Sequence, residues 1–442
     1  MLWSCVVRKK CLYLCAKLLL MTLKYLKLFS AGLFLLAWSV AAHAQATLSR
    51  LEEDPTRGGG IYHSYEFDEI EDVKAPKGYK PFYISHYGRH GSRYHYTYDY
   101  LGSLDKSLHH ADSLNNLTPD GKLLLAQVDS ILAEHKDMLG NLTHKGQQEI
   151  KMLSRRMSER FPDVFNNKKR NLIDAYSSVV RRCVVSMAVS ASELLRCNPT
   201  LDVNFNSDDI TYKYINSGHN TRACKEYYLP LMNEHIARID WSSVSSKIFI
   251  DPSKALGTSF SHAEDLWTYW AICQCMDTVN IDILKYYTMD QLLSHWQIKS
   301  GYWYLMNVRS DVFGERNADG VAPLLMNFIQ KADAAIAGND VAATLIYGHD
   351  STLQPYAAAL GLEKFSKTHS ADNLPFEYWD YAGMIGMCSN VQIVFYRNKK
   401  NDILVKFLYN EKETTIPALE ASYGGVYYEW SKVREYYMRR LK

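Results

Sequence analysis

The chain has 442 residues, 47% of them hydrophobic and 13% aromatic, which supplies a large core and excludes a disordered or fibrous protein. Its formal charge is +2, but the first 44 residues hold six cations (Arg8, Lys9, Lys10, Lys17, Lys24 and Lys27) and no acid, leaving the remainder at −4. A mildly acidic body argues against a nucleic-acid partner, whose binding rests on neutralising phosphates.

The N-terminal segment reads as an export leader. Leu28 to Ala42 is a continuous apolar run behind a basic stretch, Met21 offers an alternative start, and Ala42-His43-Ala44 is a small-x-small cleavage signal. Cleavage is predicted after Ala44, with Gln45 as the first mature residue. The alternative is a leader retained as a membrane anchor; the run is shorter than the ~20 residues that span a bilayer, so the protein is expected to be periplasmic or secreted, without a membrane span after leader removal. The leader holds three of the nine cysteines. Cys183, Cys197, Cys224, Cys273, Cys275 and Cys388 remain, an even number that permits disulfides in an oxidising compartment without fixing their pairing. Cys273-Gln274-Cys275 is too tight for a zinc knuckle and has no second pair at metal spacing.

Residues 45–80 read as an irregular lead-in containing Gly58-Gly59-Gly60, and Pro81 to Ser85 as a short buried strand. Next comes Arg89-His90-Gly91-Ser92-Arg93, an imidazole between two fixed cations. Histidine can attack phosphorus, guanidiniums can fork onto phosphate oxygens, and glycine lets the backbone approach an anion. His86 and His90 are four apart, which on a helix would suit zinc, but the strand and Gly88 argue against a helix there. No metal is expected. The run Tyr94-His95-Tyr96-Thr97-Tyr98-Asp99-Tyr100 either lines a substrate entrance or packs.

Leu117-Thr118-Pro119-Asp120-Gly121 and Leu142-Thr143-His144-Lys145-Gly146 predict helices over 119–136 and 144–160, each with a threonine N-cap. Leu172 to Ser177 is a second buried strand, followed by Arg181, Arg182 and a helix over Cys183 to Leu195. Residues 201–314 change character to Trp-, Tyr- and Met-rich helical segments such as Ala263 to Met276 and Ile281 to Met306. Ala342 to Tyr347 is a third strand, followed by Gly348-His349-Asp350 and a helix from Ser351. Val391 to Tyr396 and Ile403 to Leu408 flank Asn398-Lys399-Lys400-Asn401-Asp402 as a hairpin.

Three strand-to-helix junctions therefore carry arginine, histidine or aspartate. In an open parallel sheet the strand C-terminal ends and the following helix N-termini gather into one anion-binding crevice. The fold class is α/β, with 45–200 and 315–442 forming the sheet domain and 201–314 a mainly helical cap insertion. Phosphoryl transfer needs charge stabilisation, an in-line nucleophile and a proton for the leaving oxygen. His90 is the expected nucleophile, Asp350 the general acid, and Arg89, Arg93, Arg182 and His349 the phosphate ligands.

These residues resemble the histidine phosphatase superfamily, in the acid phosphatase branch that includes phytases and multiple inositol polyphosphate phosphatases. Arg89 to Arg93 is similar to that family's Arg-His-Gly-x-Arg signature. Leu142 to Gln148 is similar to its Leu-Thr-x-x-Gly-x-x-Gln helix start, Ser177 to Ser186 to its third-arginine segment, and His349-Asp350 to its His-Asp pair. The resemblance implies a phosphoglycerate-mutase-like α/β domain with a helical cap, no metal or other cofactor, and hydrolysis of small phosphate esters, inositol phosphates among them, through phosphohistidine. Two places depart from the pattern: His95 stands where a proline is frequent, and His349-Asp350-Ser351 where inositol polyphosphate phosphatases carry His-Ala-Glu. A phytate pocket would need cap cations, for which Lys213, Arg222, Lys225 and Arg238 are candidates. The alternatives are a phosphate-ester binding protein without turnover and a phosphoglycerate-mutase-like phosphotransferase.

Overall fold

The computed structural model describes residues 49–216, 226, 229–308, 320–368 and 380–441. The leader with its cleavage site, Arg222, Cys224 and Lys225 lie outside them. Among the described residues no helix is long and apolar enough to cross a membrane.

The strands are β1 (Lys80–Arg89), β2 (Leu172–Ser177), β3 (Asp202–Asn206), β4 (Val341–Gly348), β5 (Asn390–Arg397), β6 (Ile403–Tyr409), β7 (Lys412–Thr414) and β8 (Tyr427–Glu429). They form one sheet in the order β3-β2-β4-β1-β5-β6-β7, with β8 also paired to β6. The four from β3 to β1 are parallel and β5 to β8 antiparallel. Register decides where the site falls. Arg89 lies beside Gly348, and Ser177 beside Tyr347, so β1, β2 and β4 end level.

The helices that position the site are α1 (Gly102–Ser113), α2 (Pro119–His135), α3 (His144–Arg160), α4 (Arg181–Cys197), α5 (Ser242–Ile248), α6 (Ser259–Cys273), α7 (Met289–Asn307), α8 (Ala322–Ala337) and α9 (Asp350–Leu360). Successive strand residues face opposite sides, so a sheet covered on both faces is apolar at every position. Tyr83, Tyr87, Ile346 and Ile393 pack with Leu325, Phe328 and Ile329 of α8 and Leu353 of α9. Ile84, Leu345 and Val394 pack on the other side with Ile150, Leu153 and Met157 of α3 and Met187 and Leu194 of α4.

A second core is mainly helical and joins Leu104 and Leu108 of α1, Leu124 and Val128 of α2, Val244 and Ile248 of α5, and Leu266 and Trp270 of α6. Thus α1 and α2 of the 45–200 stretch share a core with helices of the 201–314 stretch, whereas Asp202–Asn206 of that stretch is the sheet's edge strand β3. The reason is local at α2, whose Gly121 lies so close to the Ile248 carbonyl that a Cβ would sit 2.1 Å from the oxygen.

Three other expectations change. β1 runs four residues past Ser85, to Arg89, because it is paired with β4 as far as Arg89 and with β5 as far as Gly88. The lead-in contains a buried 3-10 helix, Pro55–Tyr62, capped by Asp54; its Gly60 has φ 54° and the Tyr381 ring against it, leaving no room for a side chain. Disulfides do not form among the described cysteines: Cys183, Cys273, Cys275 and Cys388 are buried free thiols and Cys197 is an exposed one.

Thr143 caps α3, its Oγ1 accepting from Gly146 N (3.1 Å) and donating to the Cys275 carbonyl (2.7 Å). Thr143→Ala is expected to lower the unfolding free energy by about 1–2 kcal/mol in urea titration. A loss below about 0.3 kcal/mol would show that the cap does not stabilise the fold.

Candidate active site

The segment that carries Arg89 and His90 is held by main-chain bonds on both sides. Arg89 N donates to the Ser389 carbonyl (2.8 Å), His90 N to the Gly348 carbonyl (3.1 Å), and Cys388 N to the His90 carbonyl (3.2 Å). The His90 Nδ1 lies 2.8 Å from the Gly91 carbonyl oxygen. A carbonyl only accepts, so this bond assigns the proton to Nδ1 and leaves a lone pair on Nε2. Gly91 is required sterically: a Cβ there would lie 2.5 Å from the Gly146 carbonyl oxygen, and one on Gly146 would lie 2.1 Å from that of Ser92. The two glycine motifs are thus two backbones in contact.

Arg89 is 1% exposed, and its Nη1 donates to the carbonyls of Ile61 and Ile385 (2.6 Å each) while Nη2 pairs with Asp350 (2.8 Å). Its terminal nitrogens are therefore committed within the protein. Arg93 donates to the Tyr94 carbonyl (3.1 Å) and its guanidinium lies over the rings of Tyr62 and Tyr96, 5.4 Å from each centroid. Arg182, at the start of α4, has Nη2 3.4 Å from His349 Nδ1, and Ser178 Oγ is 3.1 Å from His349 Nε2. Arg181 beside it is exposed. The Nε atoms of Arg89, Arg93 and Arg182 are buried and have no hydrogen-bond partner among the described residues. Such donors cost about 1–3 kcal/mol each until an acceptor arrives.

The His90 and His349 rings are 5.7 Å apart. Burial, then Arg182, Arg89, His349 and Arg93, hold the His90 pKa well below the ordinary value of 6.5. Burial and then Arg182 push His349 down to about 3. Burial and then Arg93 lower Arg182 to about 10, so it stays cationic at neutral pH. Asp350 is the first residue of α9, with Oδ1 accepting from Ser351 N (2.8 Å) and Oδ2 on Arg89.

All six sequence-predicted residues, His90, Asp350, Arg89, Arg93, Arg182 and His349, thus meet at the C-terminal edge of the parallel strands. Three cations, two neutral imidazoles and one carboxylate suit an anion that is attacked and then released. His95 is buried and stacked between Tyr62 and Tyr96, at 6.0 and 4.7 Å. His86 is a strand residue buried against Tyr347 rather than a helical ligand. Of the described cap cations, Arg238 is exposed and paired with Glu234, and Lys213 lies on the helix Asp209–Ile215. A cavity of about 850 Å³ lined by Arg57, His63, Glu66, Lys364 and Asp380 contains none of the six residues.

Sequence reasoning missed Tyr62, Ser178 and Glu149. Tyr62 and Ser178 carry no spacing signal. Glu149 does, because the eighth place of the Leu-Thr-x-x-Gly-x-x-Gln pattern, counted from Leu142, falls on it.

A family model, histidine phosphatase superfamily (branch 2), matches residues 88–410, from the end of β1 to just past β6. The chain belongs to that superfamily branch. It is a phosphoric monoester hydrolase. Among solved structures the fold is similar to the multiple inositol polyphosphate phosphatase of Bifidobacterium longum in its apo form. The TM-score is 0.72 at 18% identity, over 86% of this chain and 97% of that one. The same enzyme in complex with inositol hexasulfate matches with TM-score 0.69 at 18% identity, over 87% and 98%. The phytase from D. castellii matches with TM-score 0.65 at 14% identity, over 87% and 85%. No curated protein sequence matches the chain.

The depressed His90 pKa sets an expected pH response. Protonation takes up the Nε2 lone pair expected to act as nucleophile, and a folded-state pKa below 6.5 moves that loss downward. The acid limb of kcat/KM, corrected for ionisation of the ester, should therefore lie well below pH 6.5; a limb centred at 6.5 would show an imidazole that feels neither burial nor the arginines.

Proposed function

We propose that this branch 2 phosphatase is an exported phosphomonoesterase working through a phosphohistidine, with inositol phosphates such as phytate in its substrate range. The observation that carries the reading is the His90 ring, with Nδ1 tied to the Gly91 carbonyl and the whole ring buried in the field of Arg182, Arg89 and Arg93. In the first step Nε2 bonds to phosphorus, the ester P–O bond breaks, and protonated Asp350 gives its proton to the departing alkoxide. In the second step water attacks the phosphoryl group, the P–N bond breaks, and the Asp350 carboxylate takes the proton from water. Inorganic phosphate leaves and both residues return to their starting forms. Arg89, Arg93, Arg182 and His349 hold the phosphoryl oxygens, the role the three unpartnered buried Nε atoms support. Asp350, a carboxylate paired with Arg89 before the ester binds, must take up a proton beside the bound phosphate anion, which mildly acidic medium favours.

Export rests on the leader and its Ala42-His43-Ala44 signal. The inositol phosphate range rests on likeness to relatives that are phytases and inositol polyphosphate phosphatases.

The test is phosphate release by residues 45–442 at acidic pH with EDTA, from phytate and p-nitrophenyl phosphate in parallel. Turnover of both, lost in His90→Ala, is the expected result. Silence on both would favour a binding protein, and phosphate transfer that requires an acceptor would favour a mutase-like enzyme. Asp350→Asn should slow alkyl esters about 10²–10⁴-fold and p-nitrophenyl phosphate less than about tenfold, because only the poor leaving group needs the acid. Equal losses on the two ester types would contradict that role.

A further inference from the structure

Below the nucleophile lies a buried carboxylate that takes no part in the steps above. Glu149, on α3, is 5% exposed. Its Oε2 accepts from Ser92 N (2.9 Å) and from Cys388 Sγ (3.5 Å), and its Oε1 from Ser92 Oγ (3.0 Å) and Tyr65 N (3.3 Å). These are neutral donors. Among the described residues no lysine, arginine or histidine stands within ion-pair distance of it. A buried carboxylate held this way is costly unless its geometry is kept.

The Ser92 N–H and the Gly91 C=O belong to one peptide unit, and in a trans peptide they point in opposite directions. One end donates to Glu149, and the other accepts from His90 Nδ1 (2.8 Å). The same carboxylate also takes the thiol of Cys388, whose N–H holds the His90 carbonyl (3.2 Å). Cys388 sits at φ 61°, a left-handed conformation that a cysteine keeps only where its surroundings impose it.

We propose that Glu149 is the positioning residue of the nucleophile, acting through the Gly91–Ser92 peptide. The negative charge polarises that peptide along its N–H to C=O direction, strengthens the carbonyl as an acceptor, and keeps the His90 proton on Nδ1. A carboxylate behind a catalytic histidine does this directly in Ser-His-Asp triads; here one peptide unit stands between them. The inference rests on the phosphohistidine reading for its kinetic part and not for its tautomer part.

The experiment compares wild type, Glu149→Gln and Glu149→Ala. Gln keeps the shape and one acceptor oxygen but removes the charge that roughly doubles the strength of the bond to Ser92 N. Three readouts are taken: the single-turnover phosphorylation rate with p-nitrophenyl phosphate, the competitive inhibition constant of inorganic phosphate, and the His90 tautomer from selective 15N-histidine labelling at pH 7. The expected result is phosphorylation slowed about tenfold in Glu149→Gln and about 10²-fold in Glu149→Ala. Phosphate inhibition should move less than about threefold, since Glu149 touches no phosphate ligand, and His90 should shift from the Nδ1–H tautomer to a mixture. Unchanged rate and tautomer in a folded Glu149→Gln would overturn the proposal, as would phosphate affinity falling in step with rate. If Glu149→Ala does not fold, Glu149→Gln decides. If the wild type turns over no ester, the phosphatase reading has failed, and the tautomer comparison still decides this one.

Discussion

The double pairing of β4 is the constraint on which the rest depends. Because it is hydrogen-bonded to β2 on one side and β1 on the other, all parallel and in a register that ends them together, residues far apart in sequence arrive at one edge. Arg89 and His90 leave β1 there, Ser178 and Arg182 follow β2, and His349 and Asp350 follow β4. The sheet does not stabilise the charges; it makes them meet. The continuous apolar runs of β1 and β4, covered on both faces by helices, fix that register, since a one-residue slip would send Tyr83 and Ile84 to the wrong sides.

Gathering three arginines in a buried crevice is electrostatically unfavourable, and the protein offsets only part of it. Asp350 neutralises one guanidinium, main-chain carbonyls of Ile61 and Ile385 take two further N–H groups of Arg89, and the Tyr62 and Tyr96 rings bracket Arg93. Burial first, and then the remaining positive field, hold both histidines neutral, and buried N–H donors of the three arginines have no acceptor among the described residues. In the proposed reaction a phosphate ester supplies negative charge and acceptors at once, so the electrostatic cost of gathering the arginines is turned into binding and transition-state stabilisation.

The sequence displayed most of this site and less of the frame around it. Arg89, His90, Arg93, Arg182, His349 and Asp350 were legible because chemistry restricts which side chains can attack, clamp and protonate, and because each sits where a buried strand hands over to a helix. Thr118 and Thr143 were legible as caps for an equally local reason. The sharing of one helical core by α1, α2, α5 and α6 was not, because apolar periodicity marks a buried face without saying what covers it. The tie between Arg89 and the Ile61 carbonyl is likewise invisible, as a main-chain acceptor has no sequence signature. Glu149 falls between these cases: its place in the second motif is visible, but its hydrogen bonds to Ser92 exist only because Gly91 and Gly146 bring two backbones into contact.

The central claim is that His90 becomes covalently phosphorylated. It is tested most directly by quenching steady-state turnover of a 32P-labelled ester in alkaline denaturant and mapping the labelled peptide. The account predicts label on the His90 peptide, stable in alkali, lost in acid, and missing from His90→Ala. Phosphate release without any trapped label, or label on a hydroxyl or carboxyl side chain, would contradict it.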